Sequence, residues 1–212
     1  MPRLDHLSVI APSLVEGIAH LQECLGIDIP FGRKHPHMGT HNHLLQLGEA
    51  AYLEVIAIDE EAPAVPGPRW FGLDDRAAVR KAWDDGKRLR GWVASTDHFA
   101  QRMAQHPGVF GEPREFHAGT SSYFFSVPVD GSLPMQGVVP SLIDRKGKRP
   151  TLAPETQRGC ELVAFTLEHP DTARIARLYE ALGVSGAPAV THGEAFRYTA
   201  TIRTPSGIRI LT

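Results

Sequence analysis

The chain has 212 residues, 42% hydrophobic and 22% charged, with a formal net charge of −2 and a pI near 6.6. That length buries a proper core, and the near balance of charge excludes a general polyanion partner, whether nucleic acid or anionic membrane. No apolar run could span a bilayer, no signal-peptide core precedes the first strand, and Cys24 and Cys160 are too few and too far apart for a disulfide framework or zinc knuckle; the expected setting is the reduced cytoplasm.

In chain order, LDHLSVIA alternates as a strand, with His6, Ser8 and Ile10 on one face and Leu7 and Val9 on the other. Ser13 and Glu16 make an S-x-x-E capping box, and the helix after it carries Val15, Ile18, Leu21 and Leu25 before stopping at Gly26. IDIPFG, a loop GRKHPHMG and a hairpin ending in YLEVIAI complete the order β-α-β-β-β. Both faces of YLEVIAI read as dry, so Glu54 is expected to be buried. An unpaired carboxylate there would be costly unless it were protonated, hydrogen-bonded or facing a cation.

A weaker copy of that order follows: GWVAST, the helix DHFAQRMAQ, YFFSVPV and QGVVPSLIDR. A third runs from ELVAFTLEH through a helix ending at Gly183 to AFRYTATIR, the turn TPSG and IRILT. The connectors are EEAPAVPGPRWFG with a short helix, DDRAAVRKAWDDG, and KGKRPTLAPETQRG; both are Pro-rich linkers. The basic run RKGKRP at 145–150 reads as part of a solvated linker. The expectation is one domain over 1–212 with modules at 3–59, 88–145 and 159–212, the second degenerate and the third truncated.

Within such a module the helix covers one side of the sheet and the other side is concave. Leu7, Val9, Leu53 and Val55 suit the helix side, which turns His6, Ser8 and Glu54 into the concavity. Imidazole and carboxylate suit zinc, iron, nickel or manganese. They equally suit an acid–base pair or a purely structural buried pair. His35, His37, His41 and His43 form a second group, with His41 and His43 on one strand face and Asn42 on the other; such tracts bind metal or are simply solvated. His117, in EFHAGTSS, is placed in a loop. There is no GxSxG elbow, Walker A loop, GxGxxG or HExxH, and neither cysteine sits in an electropositive turn.

Paired βαβββ modules with His on the first strand and Glu on the last resemble the vicinal oxygen chelate superfamily, which includes glyoxalase I, extradiol dioxygenases and antibiotic-resistance proteins. LDHLSVIAP followed by HPHMGTHNHLLQLGEAAYLEVIAID resembles, more narrowly, the glyoxalase-like domain proteins, through His35, Pro36, Gly39, Thr40, Asn42, Tyr52, Leu53 and Glu54. The resemblance implies an α+β fold of tandem βαβββ modules whose curled mixed sheets form a cup. It implies catalytic roles for Glu54 and His6, the same pair as two metal ligands with the third unknown, and substrate binding by His35, Thr40, Asn42 and Tyr52. The cofactor is a divalent metal (Zn, Ni, Fe or Mn) or none. The partners are a small-molecule ligand and, as an option, a second copy in a homodimer, with no nucleic acid and no membrane. The activity is that of an isomerase, lyase or dioxygenase on a small oxygenated metabolite, or non-catalytic sequestration of the drug-resistance type. The other modules depart from the metal pattern: matching helix ends and hairpins sets Val163 opposite His6 and Leu211 near the Glu54 position, and the middle copy offers Leu89 and Val139.

Overall fold

The first helix forms where its capping residues dictate. In the computed structural model, β1 (Arg3–Ile10) leads into α1 (Leu14–Leu25), where the Ser13 hydroxyl accepts from the Glu16 N–H at 3.3 Å and Gly26 takes a left-handed φ of 68°. Every residue is described except Ala50, Gly119, Thr120 and Thr151. One position of the expected hairpin turn, two of the EFHAGTSS segment and one of the second linker therefore lie outside the described residues.

β2 (Phe31–His35), β3 (Thr40–Leu47) and β4 (Ala51–Ile58) follow, then α2 (Arg76–Asp84), β5 (Leu89–Ser95), α3 (Phe99–Gln105), β6 (Glu112–Ala118), β7 (Ser121–Val127) and β8 (Ser141–Asp144). These eight strands form one curled mixed sheet in the order β2-β3-β4-β1-β5-β8-β7-β6. β1 and β5 pair antiparallel at its centre, while β1 with β4 and β5 with β8 are parallel, so each half mirrors the other. The fold is the expected α+β cup. β6 was not expected; it carries Pro113 and alternating charge, as an edge strand tolerates, and it moves His117 from a loop onto a strand.

The sheet divides the core. Leu7, Val9, Leu21, Leu25, Leu53 and Val55 pack on the convex, helix side. Ile10, Ile56, Trp70, Phe71, Val93 and Phe125 pack inside the curl. The remaining elements, β9 (Glu161–His169), α4 (Thr172–Leu182), β10 (Ala189–His192), β11 (Arg197–Thr204) and β12 (Gly207–Leu211), make a second sheet in the order β10-β9-β11-β12. Its inner face joins the convex-side core, with Phe165 and Tyr179 against Trp92 and both tyrosine hydroxyls, Tyr179 and Tyr198, donating to the Val138 carbonyl.

Two alignments are corrected by this arrangement. Val163 is about half exposed on the outer face of the second sheet while Leu211 is fully buried on its inner face, so they do not oppose one another across a cup. Leu89 and Val139 both belong to the convex-side core. A bulge in the β1–β5 pairing between Ser8 and Val9 shifts the alternation, and β8 begins only at Ser141, so the residues that face the curl are Val93 and Ile143.

Candidate functional site

Strand register assembles the floor of the cup. Parallel pairing of β1 with β4 sets His6 beside Tyr52 and Ser8 beside Glu54; β3 brings Asn42 and Leu44 onto the same face. Glu54 is only 5% exposed and accepts from Asn42 Nδ2 at 2.6 Å and from the Ser8 hydroxyl at 3.3 Å. His6 Nε2 lies 3.5 Å from Oε2, the oxygen that also accepts from Ser8, and the His6 ring stacks on Tyr52 with centroids 4.5 Å apart. The amide of Asn42 cannot turn over, because its oxygen accepts the Arg33 backbone N–H at 2.9 Å. That approach requires Gly32, where a Cβ would fall 2.4 Å from Asn42 Oδ1.

Asp5 is the residue strand alternation hides. The β1–β5 register slips between Leu4 and His6, so two successive residues lie opposite one and Asp5 reaches His6 Nδ1 at 2.6 Å. Arg145 holds Asp5 in a two-point ion pair, with Nη2 2.9 Å from Oδ1, and the same nitrogen donates to the Tyr52 hydroxyl at 3.1 Å. This corrects the reading of 145–150 as a solvated linker: Arg145 is half-buried in the network, and Lys148, Arg149 and Pro150 line the cavity.

The charges follow from these contacts. Burial opposes ionisation of Glu54, but the His6 contact and charge, with His35 and Asn42 contributing, hold its carboxyl down at about 2. Burial likewise opposes protonation of His6, and the bonds to Asp5 and Glu54 outweigh it, so the imidazole is raised. Asp5 is held well below the usual carboxylate range by His6 and Arg145 despite its burial. The contacts thus favour the anionic forms of Asp5 and Glu54 and the protonated form of His6.

Around this floor opens a cavity of about 580 Å³, the size of a small-molecule site. His35, Asn42 and Tyr52 line it. Thr40 does not; it is buried beside a smaller neighbouring pocket, 3.3 Å from His35 Nδ1. Burial drives the His35 imidazole down to about 4, so it is neutral at pH 7. His37 and His117 also line the cavity; His41 and His43 do not, His43 being tied to the Ile29 carbonyl at 2.6 Å. The opposite wall is aromatic: Trp70, Phe71, Phe116, Tyr123 and Phe125. Phe71 holds a left-handed φ of 61°, a strained choice for an aromatic residue and one that clusters at functional walls. Sequence reasoning missed Asp5, Arg145 and this wall; the adjacent polar pair Asp5-His6 in LDHL was the one available sign of a bulge.

A divalent metal on His6 and Glu54 does not fit this donor set. Both Glu54 oxygens already accept from protein donors. The facing half presents Val93 and Ile143, and among the described residues no three His, Cys, Asp or Glu side chains converge.

A family model described as a glyoxalase-like domain matches residues 4–183. The chain belongs to the glyoxalase-like domain family. The fold is shared with a hypothetical protein from Staphylococcus aureus of known crystal structure, with a TM-score of 0.63 at 8% identity over 100% of this chain and 99% of that one. A Streptomyces coelicolor methylmalonyl-CoA epimerase structure gives a TM-score of 0.42 at 19% identity, covering 67% of this chain and 96% of that one. The Mycobacterium tuberculosis methylmalonyl-CoA epimerase gives 0.39 at 18%, covering 67% and 87%. No curated protein matches the sequence. Among the described residues, no helix is long and apolar enough to cross a membrane.

Proposed function

We propose that this glyoxalase-like protein is an enzyme of isomerase or lyase type that moves a proton at a carbon next to a carbonyl in a small oxygenated metabolite. Glu54 is the base and His6 the acid. The observation that carries this reading is the buried ion pair of the two, 3.5 Å apart at the floor of a cavity large enough for a substrate. A carboxyl at about 2 is a weak base while His6 is charged beside it. When His6 Nε2 gives its proton to the carbonyl oxygen, the charge that depresses Glu54 disappears. The carboxylate then becomes a better acceptor for the C–H proton. The two transfers assist one another, and returning both protons completes the turnover. Asp5 keeps the other imidazole nitrogen bonded throughout, and Arg145 keeps Asp5 ionised.

The test is hydrogen exchange. Incubating the protein in D₂O with a panel of small α-substituted carbonyl compounds, and following loss of the α-proton by NMR, should give catalysed exchange that Glu54→Gln abolishes. Tight stoichiometric binding with no exchange for any compound would replace the enzyme by a sequestering protein.

A further inference from the structure

We infer that Tyr52 and Tyr123 form a donor-only site in this cavity, two phenol O–H groups that hold an acceptor oxygen of the ligand separate from the carbonyl that reacts. The inference rests on the proposed reading, which assigns the reacting carbonyl to His6 Nε2.

Strand register brings the two rings to one guanidinium. β7 pairs antiparallel with β8, Phe124 opposite Asp144 and Phe125 opposite Ile143, so one further step along the same register sets Tyr123 beside Arg145. Cross-strand neighbours of this kind lie about 5 Å apart at Cβ. From there Arg145 reaches over to the first half of the sheet, where its Nη2 donates to the Tyr52 hydroxyl at 3.1 Å. Tyr52 and Tyr123 thus come from different halves of the curl, β4 and β7, and both line the cavity. Each ring is held by a stacked neighbour, Tyr52 by His6 and Tyr123 by Phe116, the latter pair with centroids 5.6 Å apart.

An account of the hydrogens then gives the chemistry. A guanidinium carries donors and no acceptor, so the Tyr52 oxygen accepts from Arg145 and its own hydrogen must go elsewhere. Among the described residues neither that hydrogen nor the one on Tyr123 finds an acceptor. Both hydrogens are present at pH 7, since burial pushes Tyr123 up to about 12 and Tyr52 well above its ordinary value. A phenol O–H at the wall of a cavity is satisfied by an oxygen lone pair of whatever fills it. The site also lies apart from the reacting end. Arg145 meets His6 through Asp5, on the Nδ1 side, whereas Glu54 faces Nε2. The ligand therefore carries a second oxygen, as a carboxylate or a neutral ester, away from its reacting carbonyl.

Calorimetric titration of the full chain with two matched sets tests this: pyruvate, methyl pyruvate and pentan-2-one, then 4-oxopentanoate, its methyl ester and heptan-2-one. At least one oxygenated probe should bind about ten-fold or more tightly than the plain ketone of its set, as two added hydrogen bonds would give. Tyr52→Phe and Tyr123→Phe keep the stacked rings and remove one donor each. Each should cut that preference by about three-fold or more, with the affinity for the plain ketone and the circular dichroism spectrum unchanged. The tighter of carboxylate and ester names the group. Plain ketones that bind as well as the oxygenated probes in both sets, or a preference undiminished in either variant, would overturn the inference. A preference that follows the phenols in a protein catalysing no exchange would leave this site standing and the proposed reaction refuted. Exchange abolished by Glu54→Gln, with no preference for the second oxygen, would do the opposite.

Discussion

Asp5 and His6 are consecutive residues of one strand, yet Asp5 Oδ1 lies 2.6 Å from His6 Nδ1 and both side chains are buried. A regular strand would send them to opposite faces. The bulge against β5 brings them together, and Arg145, from the end of the second half of the sheet, fixes the result. The bond from Asp5 is one of the contacts that raise the His6 imidazole against its burial.

Asp5→Asn should therefore be costly. It strands the half-buried Arg145 without an anion and leaves His6 a neutral neighbour. Breaking a buried pair from one side costs roughly 3–5 kcal/mol. Urea unfolding should read that loss, and the double variant Asp5→Asn/Arg145→Met should recover part of it. NMR titration should find the His6 pKa lowered in Asp5→Asn; an unchanged value would mean that Asp5 does not govern His6.

Glu54→Gln should behave differently. The amide is nearly isosteric and can still accept from Asn42, and His6, unlike the guanidinium of Arg145, can shed its proton and so leave no stranded charge; the melting temperature should stay near level. Exchange activity should fall by about two orders of magnitude or more, the usual contribution of a positioned base. Strong destabilisation by Glu54→Gln and by His6→Gln, recovered in the double variant, would instead make the pair purely structural.

Stability should rise with pH across the acid range. Burial holds His35 at about 4, and burial with the Arg88 guanidinium holds His20 at about 4, both below the ordinary 6.5. Depressed imidazoles contribute stability above the unfolded value and lose it as the pH falls from about 6.5 towards 4, because the unfolded chain takes the protons. Glu54, ordinarily 4.5 and here about 2, extends the loss below that window. His6 has the opposite sign: its raised value adds stability that is complete below 6.5 and is lost as pH rises through it. Denaturant midpoints measured from pH 4 to 8.5 should rise and then decline, and His6→Gln should flatten the decline while keeping the acid limb.

Gly32→Ala should act through Asn42. The added methyl would meet Asn42 Oδ1 at 2.4 Å and Leu44 Cγ at 2.7 Å, so the edge strand β2 has to move. Overpacking of this kind costs about 1–3 kcal/mol. Activity should drop as far as in Asn42→Ala, and the double variant should be no worse than either single one. Additive losses would show that Gly32 acts by another route.

Much of the site was legible because strand geometry is local. Alternation alone placed His6 and Ser8 together and turned Asn42 away from His41 and His43, and the unbroken apolar run around Glu54 announced a buried carboxylate. The caps at Ser13 and Gly26 were equally local, each being a few backbone groups satisfied by near neighbours. Local patterns could not reveal Asp5 beside His6, because the bulge exists only in the pairing of β1 with β5. Nor could they bring Arg145 to Asp5 across 140 positions of chain or turn Lys148 and Arg149 from linker to cavity lining. The second sheet, read as a third copy of one pattern, packs on the convex side and leaves the cup to the first two. Periodicity fixes which way a side chain points within its own element; which charges then meet is decided by the register and packing of elements distant in sequence, where burial makes an unpaired carboxylate or guanidinium too costly to leave alone.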